Sequence, residues 1–195
     1  QVFLKAEGER NVEEERLEKM PPHQKRLIRL AQNIGNSPIS FATETKVLTN
    51  GHETFSAIIE EMKKAKHHIH IEYYIVRDDE IGREIKRVLV ERARSGVKVR
   101  FLYDAGIEVA RFGPVRLPFL NNKANFRNHR KIVVIDGHVG FVGGLNIGDE
   151  YLGNDEKYGF WRDTHLMAKG EAVRSLQLIF LQDWYYSTNH SFLTD

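Results

Sequence analysis

Strand-like and helix-like segments alternate along the chain, and this alternation limits the possible folds more than any other feature of the sequence. A short strand near Lys46–Leu48 precedes a helix, and strands over His68–Ile75 and Lys98–Tyr103 enclose a second helix over Glu80–Ser95. Strand, helix, strand, helix and strand in this order indicate an α/β layer with at least partly parallel strands. The sequence therefore predicts a sheet flanked by helices.

Apolar periodicity supports the individual elements. The first helix carries one apolar stripe, formed by Phe55, Ile58, Ile59 and Met62. Further strands are predicted over Lys131–Asp136 and His138–Val142, around a tight Asp-Gly turn, and over Thr164–Ala168. A final helix is predicted after Gly170, with a stripe formed by Val173, Leu176, Phe180 and Trp184.

The first forty residues differ in character from the rest. Charged side chains dominate Glu7–Lys19, and Pro21-Pro22 then interrupts any helix. His23–Ile34 has the pattern of a basic amphipathic helix, which would lie either on acidic lipid or against the core. We therefore predict an arm and a helix over residues 1–40 and one folded domain over residues 41–195.

Composition excludes several classes of protein. The net charge of +2 lacks the basic excess of a polycationic nucleic-acid binder, and no nucleic-acid partner is expected. The absence of cysteine excludes disulfides and thiolate metal sites. No run of ~20 apolar residues is present, so membrane attachment would have to come from segments outside this chain, from a partner or from helices lying on the surface.

One segment, Asn128–Gly137, combines histidine, lysine and aspartate at a spacing that suggests chemistry. Because strand side chains alternate, His129 and Lys131 point to the same side and can face one phosphate. A histidine can act as nucleophile or acid, and a lysine can offset charge on the phosphate oxygens without a metal. Asp136, the third member of this catalytic motif, lies at an odd offset. It is predicted to face the other side and to stabilise the turn or a buried donor.

A second motif, Gly143-Gly144-Leu145-Asn146, follows on the adjoining strand. Glycine at position 144 would let the backbone approach a ligand closely, and the Asn146 amide can donate to a phosphate oxygen.

The strand over His68–Ile75 carries residues that could bind a metal ion. His68, His70 and Glu72 share a strand face, but two histidines without a third in reach are more often packed or solvated. We therefore expect no metal and no cofactor. Glu72 is instead a candidate for lining the catalytic cleft.

These motifs resemble the HKD motif, His-x-Lys with a later Asp, of the phospholipase D superfamily. Five runs are similar to the bacterial cardiolipin synthase family in particular: Ile71–Ile75, Tyr103–Ala105, Asn128–Lys131, Asn146–Gly153 and Trp161–His165. The similarity extends over most of Thr43–Trp184. It implies a phospholipase D-like α/β/α sandwich with a mixed sheet, forming one half of a two-lobed enzyme.

The resemblance also implies roles for residues. The family joins two phosphatidylglycerol molecules into cardiolipin and glycerol. His129 would form a phosphatidyl-histidine intermediate or else protonate the leaving glycerol, Lys131 and Asn146 would bind the phosphate, and Asp163 would orient the imidazole. Only one HKD motif is present, so a second half is expected from the same full-length chain or from another copy.

Several further expectations follow from the family. The protein would be held at the cell membrane by segments absent from this chain, with its catalytic domain on the cytoplasmic side. The apolar and basic run Phe112–Leu120 would contact lipid or cover the core. The family has an additional loop and helix where Ala105 here runs directly into Gly106. Two alternatives remain, a homodimeric nuclease of the same superfamily and a non-catalytic lipid-binding module.

Overall fold

The computed structural model describes residues 15–35, 43–103, 129–153 and 156–189. Contacts divide the chain into two units, Gln1–Ala42 and Thr43–Asp195. In the first unit, helix α1 runs over Pro22–Gly35, where the sequence predicts it. The run Phe112–Leu120 and the junction at Ala105 lie outside the described residues.

The described residues of the second unit form a six-stranded sheet and three α-helices. Its strands are β1 (Thr43–Thr49), β2 (His68–Tyr73), β3 (Lys98–Tyr103), β4 (Ile132–Ile135), β5 (Val139–Gly143) and β6 (Thr164–Gly170). Its helices are α2 (Asn50–Lys64), α3 (Glu80–Arg94) and α4 (Val173–Thr188), and a short 3-10 helix covers Asp149–Leu152. Every strand and helix predicted in this unit is present.

The strand order is β1-β6-β5-β4-β2-β3. Strands β2 and β3 are parallel, joined through α3, whereas the other four pairs are antiparallel. The predicted α/β class and mixed sheet are confirmed. The sequence did not predict that β6 lies between β1 and β5, yet this position determines which side chains meet at the strand ends.

Two apolar layers cover the two faces of the sheet. Helices α2 and α3 pack on the face that presents Ile69, Ile71, Val133 and Phe141. Helix α4 packs on the opposite face, where Ile132, Val134 and Leu102 are buried with Val173, Phe180 and Trp184. Residues of alternating parity along β2 and β4 thus belong to different layers, as the two-residue period of a strand requires.

Strand β2 ends two residues earlier than predicted. Its regular pairing stops at Tyr73, and the backbone N–H of Ile75 donates instead to Oδ1 of Asn146 at 3.1 Å. The N–H of Ile147 in turn donates to the carbonyl of Ile75 at 3.1 Å. Because the backbone leaves the regular strand here, Tyr74 lies beside the residues that precede β4. Within the described residues, no helix has the length and apolar character needed to cross a bilayer.

Candidate active site

Neighbouring strand ends bring the predicted site residues together. Lys131 directly precedes β4, and the pairing of Ile132 with Val142 places it opposite Gly143 at the end of β5. Gly143 is in turn paired with His165 on β6. Directly opposed residues share a sheet face. Lys131 and His165 therefore lie on the face covered by α2 and α3, one strand apart.

His129 and Lys131 meet on the ring of Tyr74. The imidazole of His129 stacks on that ring at a centroid distance of 3.9 Å. The ammonium of Lys131 lies 5.4 Å from the same centroid, within the range of a cation–π contact. Lys131 Nζ also donates to the backbone carbonyl of His129 at 2.6 Å. Tyr74 is thus a site residue that sequence reasoning missed, because a regular strand would have pointed it away.

The two members of the motif differ in exposure. His129 is exposed to solvent, whereas Lys131 is only 6% exposed. Burial lowers the pKa of Lys131, and the nearby carboxylate of Asp163 acts in the opposite direction. An exposed imidazole beside a buried cation is suited to contact an anion that arrives from solvent.

Asn146 is buried and holds the turn after β2. Besides accepting from Ile75, it donates from Nδ2 to the hydroxyl of Tyr151 at 3.0 Å. A carboxamide has two N–H groups, and this contact uses one of them. The predicted role of Asn146 in binding a phosphate stays a prediction.

The two glycines of the second motif make room for side chains. A Cβ at Gly144 would lie 2.6 Å from Oδ1 of Asp163, and a Cβ at Gly143 would lie 2.2 Å from Nδ1 of His165. Real Cβ atoms do not approach that closely. The tight spacing at position 144 is therefore explained by Asp163. The predicted approach of Gly144 to a ligand stays a prediction.

Asp163 is fixed at the start of β6. Its N–H donates to Oδ1 of Asn50 at 3.1 Å, and its carbonyl accepts from the N–H of Asn50 at 3.0 Å. Its carboxylate accepts from the N–H of Thr164 at 2.6 Å and acts electrostatically on both Lys131 and His165. This placement is compatible with the predicted orienting role.

His165 is a further member of the cluster that sequence reasoning missed. It is 1% exposed, and neither ring nitrogen has a hydrogen-bond partner among the described residues. Burial lowers its pKa to about 4, with Asp163 opposing that shift and Lys131 adding to it. One signal was available, because Asp163 and His165 have the same two-residue spacing at the start of a strand as His129 and Lys131.

Asp136 lies at the other end of β4. Its carboxylate accepts from the backbone N–H groups of Lys66, His67 and His68 at 2.8, 2.8 and 2.9 Å. These bonds lower its pKa against the effect of burial. Asp136 thus contacts the backbone at the start of β2, and the length of β4 separates it from Lys131.

Glu72 occupies the opposite face of the sheet. It is paired with Ile132, beneath α4, and 2% exposed. Burial and the neighbouring carboxyl of Asp183 raise the pKa of Glu72 to about 8, and Arg130 acts in the opposite direction. Arg130 itself donates to Asp183. Glu72 and Asp183 thus interact, on the α4 face, with Arg130, the residue between His129 and Lys131.

His68 and His70 are tied to α4. Nε2 of Gln177 donates to Nδ1 of His70 at 2.7 Å, and Oε1 of Gln177 accepts from Nε2 of His68 at 3.2 Å. The ring of His70 stacks on Phe180 at 4.6 Å. In the described part of the chain, no group of three or more potential metal ligands is found.

Comparisons with known proteins bear on the family and the fold of the chain. The family model described as "Cardiolipin synthase, PLD-like domain" matches residues 58–184. The chain is 61% identical to a cardiolipin synthase of Geobacillus sp. (strain WCH70), over 100% of this chain and 42% of the relative. It is 57% identical to one of Halalkalibacterium halodurans, over 99% of this chain and 42% of the relative. The chain thus spans less than half the length of these relatives.

The first of these alignments extends over 213 positions, more than the 195 residues of the chain. The relative therefore has additional residues inside the matched range. The predicted difference after Ala105 stays a prediction.

Solved structures share the fold at low identity. NucT from Helicobacter pylori superposes with a TM-score of 0.56 at 16% identity, covering 74% of this chain and 97% of that one. A phosphatidylserine synthase of Haemophilus influenzae gives 0.55 at 22%, covering 80% and 40%. These likenesses support the fold alone. The family match over residues 58–184 confirms the resemblance seen in the sequence: the chain belongs to the family of phospholipase D-like domains of cardiolipin synthase.

Proposed function

We propose that this chain supplies half of the active site of a cardiolipin synthase, which transfers a phosphatidyl group from one phosphatidylglycerol to another and releases glycerol. The observation that carries the proposal is the pairing of His129 and Lys131 on the ring of Tyr74 at the end of β4. The relatives named as cardiolipin synthases, at 57–61% identity, support the choice of lipid over other phosphodiesters.

In the first step, a ring nitrogen of His129 attacks the phosphorus of phosphatidylglycerol. A P–N bond forms, and the bond from phosphorus to the headgroup glycerol oxygen breaks. That oxygen takes a proton from an acid of the second half, and glycerol leaves. Stacking on Tyr74 holds the imidazole plane in place, which lowers the entropic cost of the attack.

In the second step, a headgroup hydroxyl of another phosphatidylglycerol attacks the phosphatidyl-histidine. A P–O bond forms, the P–N bond breaks, and the hydroxyl proton passes to the group that earlier acted as the acid. Lys131 offsets the charge on the non-bridging oxygens in both steps. Its shielding from water strengthens this interaction, since a cation acts over a longer range where water is excluded.

The second half of the site comes from the same full-length chain or from another copy. It would supply the other histidine and lysine, so that acid and nucleophile lie on opposite sides of the phosphorus. The lipid substrate also supports action at a membrane surface, on the cytoplasmic side, with attachment through segments that this chain does not contain. Asn146 and Asp163 complete the proposed set, as phosphate-binding and imidazole-orienting residues.

The test uses the full-length protein with phosphatidylglycerol labelled in its headgroup. Wild type is compared with His129→Ala and with His138→Ala, a matched control because His138 is exposed on the β4–β5 turn. We expect His129→Ala to lower the rate of cardiolipin and glycerol formation by at least about 10³-fold, as for loss of a nucleophile, and His138→Ala to leave it unchanged. Thin-layer chromatography measures both products.

Two further measurements separate the alternatives. Labelled glycerol added to wild type should enter phosphatidylglycerol, because a phosphatidyl-enzyme can react backwards. This exchange should require His129. Exchange that persists in His129→Ala would reject the role of His129 as nucleophile. Cleavage of DNA in the absence of any lipid product would favour the nuclease instead.

A further inference from the structure

The ring of His165 lies in a space that the chain keeps open for it. Gly143 has no side chain at the one position where a Cβ would collide with Nδ1 of this ring, at 2.2 Å. The adjoining Gly144 leaves equivalent room for the Asp163 carboxylate. The glycine pair thus brings a histidine and an aspartate onto the row of residues that begins with Lys131.

Both ring nitrogens of His165 lack a hydrogen-bond partner among the described residues, although the residue is only 1% exposed. A buried polar group without a partner destabilises the folded state, because it loses its hydrogen bonds to water and gains none in return. Such a group in a folded protein calls for an explanation, and one explanation is a partner that arrives with a ligand. Elsewhere in the same domain, half-buried His68 and buried His70 both hydrogen-bond the amide of Gln177, so these two histidines have the partner that His165 lacks.

The neighbours of His165 have complementary hydrogen-bonding capacity. A neutral imidazole has one N–H donor and one acceptor nitrogen, and burial keeps this ring neutral by lowering its pKa to about 4. The two charged groups that act on the ring are the carboxylate of Asp163 and the ammonium of Lys131. The first can accept from the ring and the second can donate to it.

We propose that His165 is a positioning residue, whose ring links the ammonium of Lys131 to the carboxylate of Asp163 when a phosphodiester occupies the site. Lysine is a point charge on a flexible side chain, and one bond to the His129 carbonyl leaves its direction loosely defined. A second bond, to the acceptor nitrogen of His165, would hold the ammonium against the phosphate. The same ring would tie it to Asp163, the candidate partner of His129. This role rests on the proposed function.

The first test separates a polar role from a packing role. In the full-length protein, His165→Phe keeps an aromatic ring but removes both polar nitrogens, whereas His165→Gln keeps one donor and one acceptor. We expect His165→Phe to lower kcat for cardiolipin formation by about 10²-fold, with a smaller change in KM, since misplacement of a charge acts mainly on the transition state. His165→Gln should recover at least about 10-fold of that loss.

The second test does not depend on the lipid reaction. Ring ¹⁵N signals of His165 are recorded in the full-length protein while inorganic phosphate is added until the His129 signals stop moving. We expect the two His165 nitrogens to separate into one donor and one hydrogen-bonded acceptor, and Lys131→Met to abolish the acceptor shift.

The outcomes are distinct. Equal activity of wild type and His165→Phe overturns the proposal, as do equal losses in the Phe and Gln variants with matching falls in melting temperature. His165 signals that stay fixed while those of His129 move overturn it too. Absence of cardiolipin synthesis in wild type, with the His165 shift present, rejects the proposed lipid reaction and retains the link between Lys131 and Asp163.

Discussion

Histidines at opposite ends of the sheet lie on opposite faces and differ in their hydrogen-bond partners: half-buried His68 with buried His70 at one end, and buried His165 at the other. His68 and His70 lie near the start of β2, where Gln177 of α4 hydrogen-bonds both rings. His165 lies near the start of β6, beside Lys131, with neither ring nitrogen bonded within the described residues. The comparison separates histidines that complete a packed layer from one that is prepared for a ligand, although burial lowers the pKa of all three.

The largest expected effect is the loss of Lys131, compared with the loss of a lysine at the opposite end of the sheet. Lys131→Met should lower kcat by about 10³-fold, because it removes the charge that faces the phosphate. Lys98→Met removes a lysine beside the His68–His70 pair and should change kcat by less than about 2-fold, the range of surface substitutions. Steady-state cardiolipin synthesis measures both. A comparable loss in the two variants would mean that the two ends do not differ in function.

A smaller effect is expected from two glycines on β5. Gly143→Ala places a methyl group 2.2 Å from Nδ1 of His165 and should lower kcat by about 10²-fold, because displacing this positioning residue would misplace the Lys131 ammonium. Gly140→Ala meets Cδ1 of Leu176 at 2.7 Å, on the α4 face, and should cost about 1–3 kcal/mol of stability with kcat preserved. Kinetics and thermal melting are compared for the pair. Loss of activity in Gly140→Ala at a temperature where it is folded would contradict this separation.

The smallest effect is a dependence of stability on pH. The pKa of His70 is lowered to about 3 and that of His165 to about 4, so both contribute stability that is complete above pH 6.5 and is lost on acidification through these values. The pKa of Glu72 is raised to about 8, so its contribution is complete below pH 4.5 and is lost as the pH rises through 8. Glu72→Gln should therefore stabilise the domain at pH 9, by about 1–3 kcal/mol, and have little effect at pH 5. Urea unfolding at the two pH values tests this, and an equal stabilisation at both would mean that Glu72 is already ionised at pH 5 in the folded protein.

Much of the fold could be predicted from periodicity. The stripes of α2 and α4 and the alternation along β2 and β4 gave the correct elements, because burial of one face imposes a period on the sequence. Asp136 lies beyond the far end of β4, so the length of the strand, and not the alternation that the odd offset invoked, separates it from Lys131. These features depend on residues close together in the chain.

The site depended on what periodicity does not contain. The insertion of β6 between β1 and β5 brings Asp163 and His165 beside Lys131, and strand order is a long-range property. Tyr74 reaches His129 because the regular pairing of β2 ends at Tyr73. Beyond it, the backbone N–H of Ile75 donates to the side chain of Asn146. Glu72 was placed by analogy with the motif strand, but the register of β2 against β4 puts it on the α4 face.

The contact made by Asp136 has a consequence for the motif as a whole. Its carboxylate holds three consecutive N–H groups at the entrance to β2, and its own N–H donates to the carbonyl of His68 at 3.0 Å. A slip of β4 by a single residue against β2 would break all of these bonds, and it would also turn His129 and Lys131 toward the wrong side of the sheet. Asp136 thus fixes the register of β4 against β2, and with it the side of the sheet on which His129 and Lys131 are presented.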